Sequence, residues 1–122
     1  MAKNKKILII EDEPSIAEAE RLILEDHFKV HVASDGEKGF VMAQKLRPDL
    51  IILDLMLPKR GGYDICFNLR QDDVLKAVKI LMVTAKNLPL DKDKGMLVGT
   101  DDYLTKPFEA EELLNRVRNL MQ

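Results

Sequence analysis

Short, strongly apolar runs alternate along this chain with segments of helical spacing, and that alternation constrains the fold more than any other feature. The runs Lys6–Ile10, Lys29–Ala33, Leu50–Leu53 and Lys79–Val83, with a weaker one at Tyr103–Thr105, read as strands. The first, third and fourth are apolar at nearly every position, as parallel strands covered by helices on both faces should be, so they belong at the centre of a sheet. The second alternates, Val30 and Val32 against Lys29 and His31, and belongs nearer an edge. Between the strands the spacing predicts a helix over Pro14–Asp26, with Asp12 or Glu13 as its cap and Ile16, Ala19, Leu22 and Ile23 as its buried face. A second helix should follow the Ser34-Asp35-Gly36 turn and stop before Pro48, with Phe40, Val41 and Leu46 against the core. A third covers Tyr63–Asp72, and a weak fourth lies about Leu90–Val98, where Gly95 interrupts it. A fifth, Glu109–Leu120, carries Leu113, Val117 and Leu120 on one stripe. Strict alternation implies right-handed βαβ units and hence a three-layer α/β/α architecture, and 122 residues suffice for one such domain, 1–122.

A net charge of −2 argues against broad, charge-driven contact with nucleic acid or an anionic membrane by this segment. The apolar runs are too short to cross a bilayer, and no targeting signal precedes the first strand. Cys66 is the only cysteine, so no internal disulfide is available, and a reducing compartment, the cytoplasm, is the expected location.

In open sheets of this class the site lies at the carboxyl ends of the strands. Those ends carry Glu11 and Asp12, Asp54, Thr84 and Lys106. Three crowded carboxylates are costly to ionise unless a cation balances them, and Mg²⁺ together with the lysine brings the formal sum to zero. Mg²⁺ prefers oxygen ligands and commonly joins carboxylates to a phosphate oxygen. A carboxylate can attack phosphorus to form an acyl phosphate, a reaction that needs positioning and charge neutralisation above all. Asp54 is the expected nucleophile, because an acid closing an apolar strand serves neither turn nor core. Lys106 precedes Pro107, whose peptide bond can be cis at modest cost. A phosphate-cradling nucleotide loop is not expected, since Glu11-Asp12-Glu13-Pro14 stands where glycines would be needed. A phosphatase acting on small substrates is not expected either, because Met56 occupies the place of a second acid.

The segments Ile9-Ile10-Glu11-Asp12-Glu13-Pro14, Asp54-Leu55-Met56-Leu57-Pro58-Lys59-Arg60-Gly61-Gly62, Val83-Thr84-Ala85 and Asp101-Asp102-Tyr103-Leu104-Thr105-Lys106-Pro107-Phe108 resemble, in order and across the whole chain, the CheY-like response-regulator receiver family. The resemblance implies a five-stranded parallel sheet of order 2-1-3-4-5, the flavodoxin-like arrangement. It further implies that Asp54 accepts a phosphoryl group from a sensor histidine kinase, with Mg²⁺ held by Glu11, Asp12, Asp54 and the backbone carbonyl of Met56. Lys106 would pair with the phosphoryl group, and Thr84 and Tyr103 would be the switch residues. Catalysis would extend only to the protein's own phosphorylation and dephosphorylation. Glu11 stands where the family more often has Asp, Thr100 where it usually has Ala, and Met56 and Lys86 fall on two variable positions beside the site.

The last segments look most like receivers of OmpR/PhoB-type transcription regulators. That likeness implies a phosphorylation-dependent homodimer through the fourth helix, fifth strand and fifth helix. Lys92 would face Glu112, Asp102 would face Arg116 and Asp101 would face Arg118 across a two-fold axis, around an apolar centre of Met96 and Leu114. Control of an output domain or partner through this face is the expected function. The alternative is a stand-alone receiver acting by protein–protein interaction without a DNA-binding output.

Overall fold

The computed structural model describes residues 4–57, 61–85 and 99–122. Five parallel strands, β1 (Lys6–Ile10), β2 (Lys29–Ala33), β3 (Leu50–Asp54), β4 (Lys79–Ala85) and β5 (Asp102–Lys106), pair in the order β2-β1-β3-β4-β5. The helices described are α1 (Pro14–Leu24), α2 (Gly36–Leu46), α3 (Gly62–Gln71) and α4 (Ala110–Leu120). The helix expected about Leu90–Val98, with Lys92 and Met96, lies outside the described residues.

Two cores flank the sheet, and the two-residue period of the strands decides which side chain enters which. Leu8, Ile10, Ile51, Leu53, Ile80 and Met82 point to one face, where Ala43 of α2 and Ile65, Cys66 and Leu69 of α3 cover them. Ile7, Ile9, Leu50, Ile52, Leu81, Val83 and Leu104 point to the other, under Ala17 and Leu24 of α1 and Leu113 and Val117 of α4. The central strands are therefore buried on both sides, while β2 alternates between exposed Lys29 and His31 and half-buried Val30 and Val32.

Two expected helix faces are corrected. On α1 the inward residues are Ala17, Glu20 and Leu24, one step round from the expected set; Ala19 is exposed and Leu22 is 54% exposed. Ile16, Ala19 and Ile23 instead line a groove of about 900 Å³ shared with Lys106, Pro107 and Phe108. On α2 Phe40 and Leu46 pack against the core as expected, but the fully inward residues are Gly36, Gly39 and Ala43, and Val41 points outward. A Cβ on Gly39 would lie 2.5 Å from Ile10 Cδ1, so a helix lacking that atom sits closer to the sheet than larger residues allow. Small inward residues leave little apolar signal, which is why pattern alone finds Phe40, Leu46 and Ile23 but misses the centre of each face.

The caps follow the sequence unevenly. Asp35 accepts from the Lys38 N–H at 2.8 Å at the start of α2, and Glu109 with Glu112 closes a capping box on α4. Glu13 occupies the N-cap of α1 without a side-chain cap bond. Its neighbour Glu11 has another use.

Candidate phosphoryl-acceptor site

Glu11 and Asp12 follow β1, Asp54 ends β3, Thr84 is next to last in β4 and Lys106 ends β5, so all five meet on one rim. Glu11, Asp12 and Asp54 each offer a carboxylate oxygen, and these atoms lie within 4.8 Å of one another. Glu11 is 2% exposed and Asp54 5%, whereas Asp12 faces solvent. Glu11 accepts from the Glu13 N–H at 3.2 Å through Oε2, and Asp54 from the Met56 N–H at 3.1 Å through Oδ1. The Lys106 ammonium donates to Glu11 Oε1 at 2.9 Å and stands 3.5 Å from Asp54 Oδ2. The Lys106–Pro107 peptide is cis.

Burial pushes the Glu11 carboxyl up to about 7; hydrogen bonds from Lys106 and the Glu13 N–H oppose the rise, and Asp54 adds to it. Burial also pulls the Lys106 ammonium down, but the hydrogen bond to Glu11 and the charges of Asp54, Glu11 and Glu20 outweigh it and hold the group above the ordinary lysine range. A pocket whose acid clings to a proton at neutral pH is one that a divalent cation would relieve, and oxygen-only donors in this number suit Mg²⁺. The Thr84 hydroxyl is fully buried and has no hydrogen-bond partner among the described residues. A buried hydroxyl normally has one.

Tyr103 is half-buried against the α2–α3 core, with its hydroxyl 3.5 Å from that of Tyr63. Met56, whose N–H is committed to Asp54, has a side chain 63% exposed.

Of the residues expected at a dimer face, the charged ones among the described residues have neighbours within the same chain. Arg116 pairs with its own Asp102 at 2.8 Å and donates to the Tyr103 carbonyl at 2.9 Å. Asp101 pairs with Arg70 at 2.9 Å, Glu112 accepts from the Glu109 N–H at 3.1 Å, and Arg118 lies 3.5 Å from His27 Nδ1. Partners on adjacent elements of the same chain meet without the entropy loss of association, so they satisfy first. Leu114 is half-buried against the α1–α4 core.

Two residues escaped the sequence reading. Glu20 is 1% exposed on the inner face of α1, and both its carboxylate oxygens lack a hydrogen-bond partner among the described residues. Its position between Ala17 and Leu24, at i+3 and i−4, was the available signal. Arg70 braces the far end of the sheet, a role without any local signature.

Residues 7–118 match the response regulator receiver domain family. The chain belongs to that family. This receiver is 48% identical over 118 residues to RpaA of Synechocystis, a DNA-binding dual master transcriptional regulator. The match takes in 96% of this chain and 49% of RpaA, so the receiver spans about half the length of that relative. Among solved structures it resembles chemotaxis protein CheY4 of Vibrio cholerae, with a TM-score of 0.90 and 33% identity over 95% of this chain and 98% of that one. It also resembles the receiver domain of sensor histidine kinase PA1611 from Pseudomonas aeruginosa (TM-score 0.87, 28% identity, 97% and 98% covered), a structure with a magnesium ion coordinated in the active-site cleft. The expected family and the sheet order 2-1-3-4-5 are both borne out. No helix among the described residues is long and apolar enough to cross a membrane.

Proposed function

We propose that this receiver takes a phosphoryl group from a sensor histidine kinase onto Asp54 in a Mg²⁺-dependent reaction, and that the change of charge controls an output domain or partner. The observation that carries this reading is the meeting, on one rim, of Asp54 with two further carboxylates, the Lys106 ammonium and a buried Thr84 hydroxyl that has no partner among the described residues. Glu11, Asp12, Asp54 and the Met56 carbonyl would hold Mg²⁺, which when bound supplies the positive charge that lets a phosphate anion approach them.

With Oδ1 occupied by the Met56 N–H, Oδ2 of Asp54 is the oxygen that attacks phosphorus while the donor's phosphorus–nitrogen bond breaks. Lys106, already 3.5 Å from that oxygen, transfers its hydrogen bond from Glu11 to a phosphoryl oxygen. The Thr84 hydroxyl donates to another, and Tyr103 follows into the space Thr84 leaves. The phosphoryl group thus biases a two-state element by adding charge and strong acceptors that only one arrangement satisfies. No other substrate is turned over; the chemistry begins and ends on the receiver's own aspartate.

Incubation with acetyl phosphate and Mg²⁺ tests the assignment. Mass spectrometry is expected to show one added phosphoryl group on the wild type, none on Asp54→Asn, and none when EDTA removes the metal. An adduct that survives both changes would overturn it.

Phosphorylation-dependent homodimerisation through the 90–98 segment, β5 and α4 belongs to the same proposal, with Lys92, Met96, Asp101, Asp102, Glu112, Leu114, Arg116 and Arg118 at the interface. The in-chain pairs Asp102–Arg116 and Asp101–Arg70 must then be shared with, or exchanged for, those of a second copy. Sedimentation with beryllofluoride and Mg²⁺ bound is expected to show a dimer; a monomer at high concentration would refute this part alone. The DNA-binding description of RpaA favours an output of transcription control over stand-alone action.

A further inference from the structure

The inner face of α1 presents Ala17, Glu20 and Leu24 at the spacing of an apolar stripe, and Ala17 and Leu24 sit in the core over β1 and β3. The middle member is a carboxylate, 1% exposed, with neither oxygen hydrogen-bonded to any described residue. Burying an unpartnered carboxylate is costly, and nothing in the packing of α1 requires one. Arg21, the next residue, is engaged by Glu18 and Glu25. Among the described residues, the groups whose charges act on Glu20 are Glu11, Lys106 and Asp54, that is, the phosphoryl-acceptor site itself. Lys106 is the one cation of the three.

Lys106 has three N–H donors and, in this structure, two carboxylate neighbours on the rim, Glu11 and Asp54. Once those two are committed to a cation, two claims on the ammonium remain: the phosphoryl group and the charge of the buried carboxylate, which acts on Lys106. Resting on the phosphoacceptor reading above, we propose that Glu20 is a positioning residue for Lys106, whose buried carboxylate competes with the incoming phosphoryl group for the ammonium and so slows phosphorylation of Asp54. Glu20 touches neither donor nor phosphoryl group; it acts through Lys106.

The experiment compares wild type and Glu20→Gln, each with Lys106 intact or replaced in Lys106→Ala, by the initial rate of acetyl phosphate-driven phosphoaspartate formation. It is run from acidic to alkaline pH, since burial pushes the Glu20 carboxyl up to about 8. At alkaline pH Glu20→Gln is expected to react roughly tenfold faster than wild type, the scale of one unit charge acting across a partly buried site. The advantage should shrink toward acidic pH, where the wild-type carboxyl is itself neutral, and vanish in the Lys106→Ala background. In the metal-free protein the NMR signals of the Lys106 side chain should move in Glu20→Gln and stay put in Glu18→Gln. Equal rates, or the same gain without Lys106, would overturn the proposal, as would an unmoved Lys106 signal. A wild type that forms no phosphoaspartate would instead fell the phosphoacceptor reading, and this inference with it. Should the glutamine variant fold poorly, Glu20→Leu offers a second neutral side chain suited to the stripe.

Discussion

Glu20→Leu is expected to stabilise the metal-free receiver by about 3 kcal/mol at alkaline pH, because a buried carboxylate without a partner gives way to a side chain that completes the stripe between Ala17 and Leu24. For a domain of this size that is a rise in Tm of roughly 10 °C. The gain must depend on pH. Burial, aided by the charge of Glu11, pushes the Glu20 carboxyl from the ordinary 4.5 to about 8. Between those values the folded protein keeps a proton that the unfolded chain has released. Stability from this group is therefore complete below about 4.5 and is lost as pH climbs through about 8. Glu11, raised to about 7, adds a smaller loss of the same sign, which Mg²⁺ should abolish and Glu20→Leu should not. Thermal melts of wild type and variant at acidic and alkaline pH check this. A difference in Tm that stays constant across the range would show that the Glu20 carboxyl releases its proton at the same pH in the folded and unfolded states, and that burial does not raise it.

Arg70→Ala is expected to cost about 3 kcal/mol, with a comparable fall in the urea midpoint, and to leave phosphorylation of Asp54 in place. The Arg70 guanidinium donates to the Gly99 carbonyl at 2.9 and 2.6 Å through Nε and Nη2, and to the carbonyls of Lys76 and Val78 through Nη1. It also holds Asp101 at 2.9 Å, and that same carboxylate oxygen accepts the Ile80 N–H at 2.7 Å. One planar cation thus ties the end of α3 to the chain entering β4 and the chain entering β5, at the opposite end of these strands from Thr84 and Lys106. Arg70→Lys should recover little, because an ammonium cannot address several carbonyls with a fixed fork of donors. A lysine variant as stable as wild type would show that the charge matters and the fork does not. The brace also bears on assembly: an Asp101 held by Arg70 reaches Arg118 of a second copy only by giving up this arrangement or sharing it.

The sheet was legible because its signal is local and redundant. Runs such as Ile7–Ile10 and Leu50–Leu53 repeat the same message at each position, and their two-residue period decides which side chain enters which core. The rim was legible for the opposite reason: Asp54 and Lys106 are charges at strand ends where packing has no use for them. Both readings need only spacing and chemistry. What failed in part was the placing of residues around α1 and α2: Phe40, Leu46 and Ile23 pack against the cores as expected, but Ala19, Leu22 and Val41 do not. Gly36, Gly39, Ala43 and Ala17 are too small to register as a core face, yet they are the residues that let each helix approach the sheet, so Leu22 and Val41 point outward despite their apolarity.

In-chain charge pairing was hidden on the same ground. Sequence shows which charges exist but not how near they lie: the fold brings Arg70 to Asp101 and Arg116 to Asp102 within one chain, pairs that the sequence alone does not reveal. The amino-acid sequence by itself determined the order of elements, the two faces of the sheet and the chemistry of the rim, since each follows from a residue's nature and its near neighbours. Only the tertiary structure decided that Glu20 and the Thr84 hydroxyl are buried with no hydrogen-bond partner among the described residues and that Arg70 spans three segments. Burial and electrostatic partnership are relations between residues far apart in the chain, and they exist only once packing brings those residues together.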